Sequence, residues 1–189
     1  MESDTVENQR SGLDRQRHWM RTRYVTGMLC GIMLMVNLMG GARAADVRQW
    51  TVVPDAAIYD LDGAPVALSD FNGKVVLINF WGTWCVPCLQ EIPELVQLSH
   101  QFTAQQMNVV GIAVESGTPQ TIRTFIAKQG MNYPIFMSEL NVVKAQFQVV
   151  GFPTSLLIDR QGGIRKRYFG PQTVEQLTQD IQHLLALPQ

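Results

Sequence analysis

Three cysteines occur in the 189-residue chain, and two of them, Cys85 and Cys88, stand three positions apart in the segment GTWCVPC. Thiols this close can bond to each other but cannot staple distant parts of a fold. Zinc sites also use Cys-x-x-Cys, yet zinc takes about four ligands and no second pair is present. His100 and His183 lie far apart on separate predicted helices and read as solvated helix residues. A purely structural disulfide would leave unexplained the aromatic-flanked setting of the pair and the proline between them. Reversible exchange between dithiol and disulfide fits both, and it carries electrons on the sulfurs themselves, so no cofactor and no metal is expected.

That chemistry depends on what precedes and follows the cysteines. Val75–Trp81 reads VVLINFW, a nearly continuous apolar run rich in β-branched and aromatic residues, as a strand buried on both faces does. After GTWCVPC comes an amphipathic helix through residues 89–106, with Leu89, Ile92, Leu95, Val96 and Leu98 near one face and Pro93 expected to kink it. The pair therefore sits at a helix N-terminus, where unpaired N–H groups and partial positive charge favour a thiolate over a thiol. Cys85 is predicted to be the exposed nucleophile. Cys88, one turn inside the helix, is predicted to resolve the mixed disulfide. Pro87 stiffens the link, and Trp84 is placed to cover one side of the sulfur.

The remaining sequence alternates strands and helices. Residues 56–61 and 65–68 read as short extended segments around Asp62-Gly63, and 69–74 as a turn. A second buried strand is predicted over 109–114, then a helix over 121–129 entered at Thr118-Pro119 and ended by Gly130. An extended segment over 133–137, a short helix over 141–147 and a strand over 154–159 follow. The turn Gln161-Gly162-Gly163 leads into a strand at Ile164–Phe169. Thr173 caps a last helix whose buried side carries Val174, Leu177, Ile181, Leu184 and Leu185. This order implies an α/β fold, a central mixed sheet with helices on both faces.

Residues 1–44 differ from the rest. Five arginines precede an apolar run over 24–39, and Ala42-Arg43-Ala44 supplies small residues at both positions that a signal peptidase reads. We read 1–44 as a signal peptide and 45–189 as the mature domain. The alternative is a retained membrane tether through 24–39, although 16 residues fall short of the roughly 20 that span a bilayer. Either way the domain is expected in the periplasm or another extracytoplasmic space. Cys30 lies inside that run and has no lipobox before it. A net charge of −1 gives no electrostatic case for nucleic acid.

The segment NFWGTWCVPCLQEIP over 79–93 resembles the active-site stretch of the TlpA/ResA-like branch of the thioredoxin superfamily. VVGFPTSLLID over 149–159 resembles its proline loop, and between the two lies the extra strand–helix unit of that branch. The likeness covers roughly residues 50–187. It implies that Pro153 is the cis-proline facing the cysteines and that the backbone at Phe152 pairs with an extended client segment. It also implies that Glu91, one turn beyond Cys88, assists the proton transfers, for which burial should raise its pKa. Asn79 takes the place of the buried aspartate of ordinary thioredoxins; Glu94 and Glu115 are weaker candidates, Glu115 at a strand end near the site. Thr154 stands where members dedicated to cytochrome c maturation often carry Glu, so that pathway is one assignment among several. Peroxiredoxins share the fold but need a Thr and a Cys at a spacing this chain lacks.

The resulting expectation is a reductase of protein disulfides, recharged by a membrane thiol–disulfide electron donor. Two alternatives stay open: a thiol-based metal or client-binding chaperone, and a net oxidase or isomerase.

Overall fold

The computed structural model describes residues 52–54, 56–102 and 106–187. The leader expected at 1–44, with its apolar run and Cys30, lies outside the described residues.

Strand β1, Val75–Trp81, is buried along its whole length, as its unbroken apolar run requires. Strands β2 (Met107–Val114) and β3 (Ile135–Ser138) extend the sheet from one side of β1 in parallel. On the other side, β4 (Thr154–Ile158) pairs antiparallel with β1 and β5 (Ile164–Phe169) antiparallel with β4, giving the order β3-β2-β1-β4-β5. Helices α1 (Val86–Gln101), α2 (Pro119–Gln129), α3 (Leu140–Phe147) and α4 (Val174–Ala186) complete the fold.

Alternation along β1 divides the core. Val75, Leu77 and Trp81 pack with Leu95 and Leu98 of α1, Ile122 of α2 and Ile181 of α4. Val76, Ile78 and Phe80 pack with Val143 and Phe147 of α3 and with Ile58. Helices therefore cover both faces of a mixed sheet, as the element order implied.

Several boundaries follow local chemistry. Thr118 accepts the Thr121 amide at the start of α2, and Gly130 ends that helix at φ 65°, a left-handed conformation that glycine enters without penalty. Thr173 forms a full capping box with Gln176 at α4. On α4, Val174, Leu177, Ile181 and Leu184 are buried, while Leu185 is only partly so.

Other boundaries depart from expectation. Residues 56–61 and 65–68 form no strand: Tyr59 makes single bridges to Pro65 and Met137, and Leu68–Phe71 is a 3-10 turn. The Asp60 amide donates to the Ala64 carbonyl and the Val66 amide to the Ile58 carbonyl, and the Asp60 carboxylate accepts the amides of Asp62 and Ala64, so a short rung and a side-chain acceptor hold the two segments around the turn. Helix α1 ends at Gln101, where Phe102 turns to extended backbone and packs on the core. Pro93 lies within α1, and the helix continues through it. Strand β3 begins after Pro134, which has no N–H to donate and offers its carbonyl to Gly111 instead.

Candidate active site

The hand-over from β1 to α1 takes four residues, Gly82 to Cys85. Cys85 is the N-cap of α1, and Pro87 lies in the first helical turn, where a missing N–H costs nothing. Cys85 and Cys88 are joined in a disulfide with their Cα atoms 5.3 Å apart. The Cys85 Sγ accepts the Cys88 amide N–H at 3.3 Å. That amide is one of the unpaired donors of the helix mouth, and the same group would steady a thiolate in the reduced protein.

The expected openness of Cys85 does not hold in the disulfide form. Cys85 is 4% exposed and Cys88 2%.

One turn beyond Cys88, Glu91 occupies the same buried face of α1. It is 1% exposed, and both carboxyl oxygens are bonded. Oε1 accepts the Gln172 amide at 3.0 Å, and Oε2 accepts the Asn79 side-chain amide at 2.9 Å. Asn79 donates its other amide proton to Ser155 Oγ, also at 2.9 Å. Burial pushes the Glu91 pKa up to about 7, while the Gln172 and Asn79 bonds hold it back. Tyr133, buried close enough to feel the Glu91 charge, is raised by burial first and by that charge second. The result is a buried carboxyl with a raised pKa on the helix face that carries Cys88. Ser155 and Gln172 escaped sequence reasoning, since a lone Ser in a strand and a Gln before a helix carry no signal of their own.

Pro153 follows a cis bond from Phe152. The Phe152 ring meets the Trp84 ring edge-on, with centroids 5.4 Å apart, which sets the proline loop against the cysteine loop. Trp84 is 53% exposed and Phe152 is half-buried. Thr154, fully buried, donates its hydroxyl to the Gly151 carbonyl at 2.7 Å and closes the turn before the proline. Glu94 is drawn off by the amide of Val174, and Glu115 by the amide of Leu140 at the start of α3. His100 and His183 are exposed on their helices. Among the described residues, no three of His, Cys, Asp and Glu converge as a metal site would need.

The model of the AhpC/TSA family matches residues 51–167, more than half of the chain. The thiol-disulfide oxidoreductase ResA of Halalkalibacterium halodurans is 31% identical over 175 residues, covering 90% of this chain and 96% of the relative. Among solved structures, a thiol:disulfide interchange protein of the thioredoxin family from Chlorobium tepidum TLS superposes with a TM-score of 0.65 at 29% identity, covering 75% of this chain and all of the other. A secreted thiol-disulfide isomerase from Corynebacterium glutamicum gives a TM-score of 0.64 at 26% identity, covering 71% and 86% of the two chains. On these grounds the chain belongs to the AhpC/TSA family, within the thioredoxin superfamily, and is a thiol–disulfide oxidoreductase.

Proposed function

We propose that this protein is an exported reductase of protein disulfides. In the reduced protein the Cys85 thiolate attacks one sulfur of a client disulfide, and the other client sulfur leaves as a thiolate. Cys88 then attacks Cys85 in the mixed disulfide, forming the Cys85–Cys88 bond and releasing the client as a dithiol. Two electrons pass to the client. A membrane thiol–disulfide donor returns two electrons and two protons. Glu91 takes the Cys88 proton as that sulfur becomes a nucleophile, and a carboxyl near 7 is matched to this exchange at neutral pH. Phe152 and Pro153 supply the backbone edge along which the client lies, with Trp84 beside it.

The observation that carries this reading is the bonded pair at the mouth of α1 with a buried carboxyl one turn behind it. The valine–proline pair between the cysteines favours the reducing direction. Export is supported by the basic, apolar and small-residue leader, with cleavage before Ala45 or a tether through 24–39. Clients in cytochrome c maturation belong to the same proposal.

Insulin-disulfide reduction with dithiothreitol tests the activity: wild type should turn over, and Cys85→Ser should not. Equilibration with glutathione tests the direction. A midpoint potential well above about −200 mV would replace the reductase with an oxidase or isomerase. Copper uptake at one equivalent without turnover would favour a carrier. Client identity follows from trapping mixed disulfides on Cys88→Ser.

A further inference from the structure

Beside the sulfurs, a set of hydrogen bonds ties the end of β2 to the cysteine loop. Ser116 is buried two residues past β2, and its Oγ accepts the Thr83 amide N–H at 3.1 Å. The same hydroxyl donates its proton to the Val114 carbonyl at 3.0 Å. A hydroxyl has one proton and two lone pairs, so both bonds coexist. The Val114 carbonyl also accepts the Trp84 indole N–H at 3.2 Å.

Two further features fix the indole. Gly82 has no side chain to displace it: a Cβ there would lie 2.6 Å from Trp84 Cε2. Phe152 props the ring edge-on from the proline loop. Trp84 nevertheless keeps 53% of its surface open. An aromatic residue half in solvent, yet tethered at its N–H and seated on a bare Cα, is held in place rather than swinging free. The Cys85 amide bonds the Gly82 carbonyl at 3.1 Å, so the same few residues also shape the turn into the nucleophile.

We propose that Ser116 is a positioning residue for client recognition. Together with the Val114 carbonyl it locks Thr83 and Trp84, and the indole stands as a preformed wall for the apolar polypeptide flanking a client disulfide. This rests on the reading that the protein acts on protein disulfides. A contact side chain ordered in advance gives up less rotamer entropy when the client binds, and a tryptophan offers a large apolar area for only two rotatable bonds.

Kinetics of insulin reduction and NMR exchange of the Trp84 indole N–H and Thr83 amide test the lock together. Ser116→Ala should raise KM for insulin about five-fold, as loss of one net hydrogen bond does, with a smaller fall in kcat. Both N–H groups should exchange faster with solvent, and Ser116→Thr, which keeps the hydroxyl, should restore KM and slow exchange. Wild-type KM and exchange in Ser116→Ala overturn the proposal. Trp84→Phe keeps a ring but loses the N–H, and its effect on KM should be non-additive with Ser116→Ala, because both act through the Val114 carbonyl. If Ser116→Ala does not fold, Trp84→Phe decides alone, and an unchanged KM there overturns the proposal. Absence of insulin turnover in wild type counts against the disulfide-reductase reading, and the exchange measurement still tests the lock.

Discussion

In the proposed mechanism, the pH behaviour of the site turns on Glu91. Burial lifts its carboxyl to about 7, and two donors, the Gln172 amide and the Asn79 side chain, pull in the opposite direction by bonding the ionised form. Removing one donor should therefore raise the carboxyl further. Asn79→Ala is expected to move the Glu91 titration upward, read from the carboxyl carbon by NMR. It should move the alkylation profile of Cys88 with it when Cys85 is replaced by Ser. Glu91→Gln should remove that inflection altogether while leaving the circular dichroism of the fold intact. An alkylation profile identical to that of the parent would end the proton-transfer role assigned to Glu91.

Among the elements, α4 and β2 carry the most direct tests. Helix α4 closes the face that holds α1 and starts at a capping box, Thr173 with Gln176. Thr173→Ala should cost about 1 kcal/mol of stability by urea unfolding, the usual cost of losing an N-cap oxygen. In β2, Gly111 lies beside Asn79 in the register with β1. A Cβ at Gly111 would sit 2.6 Å from Ile135 Cδ1 and 3.0 Å from Trp81 Nε1, inside a closed core. Gly111→Ala should destabilise by about 1–3 kcal/mol through overpacking, and a melting temperature equal to that of wild type would show that the core yields there.

For the whole molecule, the raised carboxyl makes stability depend on pH. Glu91 binds its proton more tightly in the folded state than in the unfolded chain, where its ordinary value is 4.5. Between about 4.5 and about 7 the folded state therefore holds more protons, and stability falls as pH rises. The contribution is fully present below 4.5 and lost as pH passes 7, a span worth about 3 kcal/mol. Urea unfolding of the oxidised protein across that range should show the decline. Glu91→Gln should flatten it, and a wild-type curve already flat there would mean that water reaches the carboxyl.

The sequence alone determined the local features of this protein. The Cys-x-x-Cys spacing, the unbroken apolar run of β1, and the caps at Thr118, Gly130 and Thr173 depend on neighbours a few positions away. The register of those signals placed both cysteines at a helix mouth, while Glu91 was singled out through the family resemblance and its burial is a finding of the structure. Tertiary structure decided what depends on partners distant in the chain. Asn79 and Gln172 reach Glu91 from 12 and 81 positions away, Ser155 reaches Asn79 from 76, and Ser116 reaches Thr83 from 33. Such residues have no signature of their own, because only the packing of β1, β4, the loop after β2 and the segment before α4 around the start of α1 brings them together. The extended segments around Asp62-Gly63 pair with each other as expected, but their link to the sheet, the Tyr59 bridge to Met137, and the 3-10 turn that begins at Leu68 depend on the assembled fold. Exposure of Cys85 also belonged to the assembled fold: in the disulfide form it is buried in the core beneath the sheet and helices.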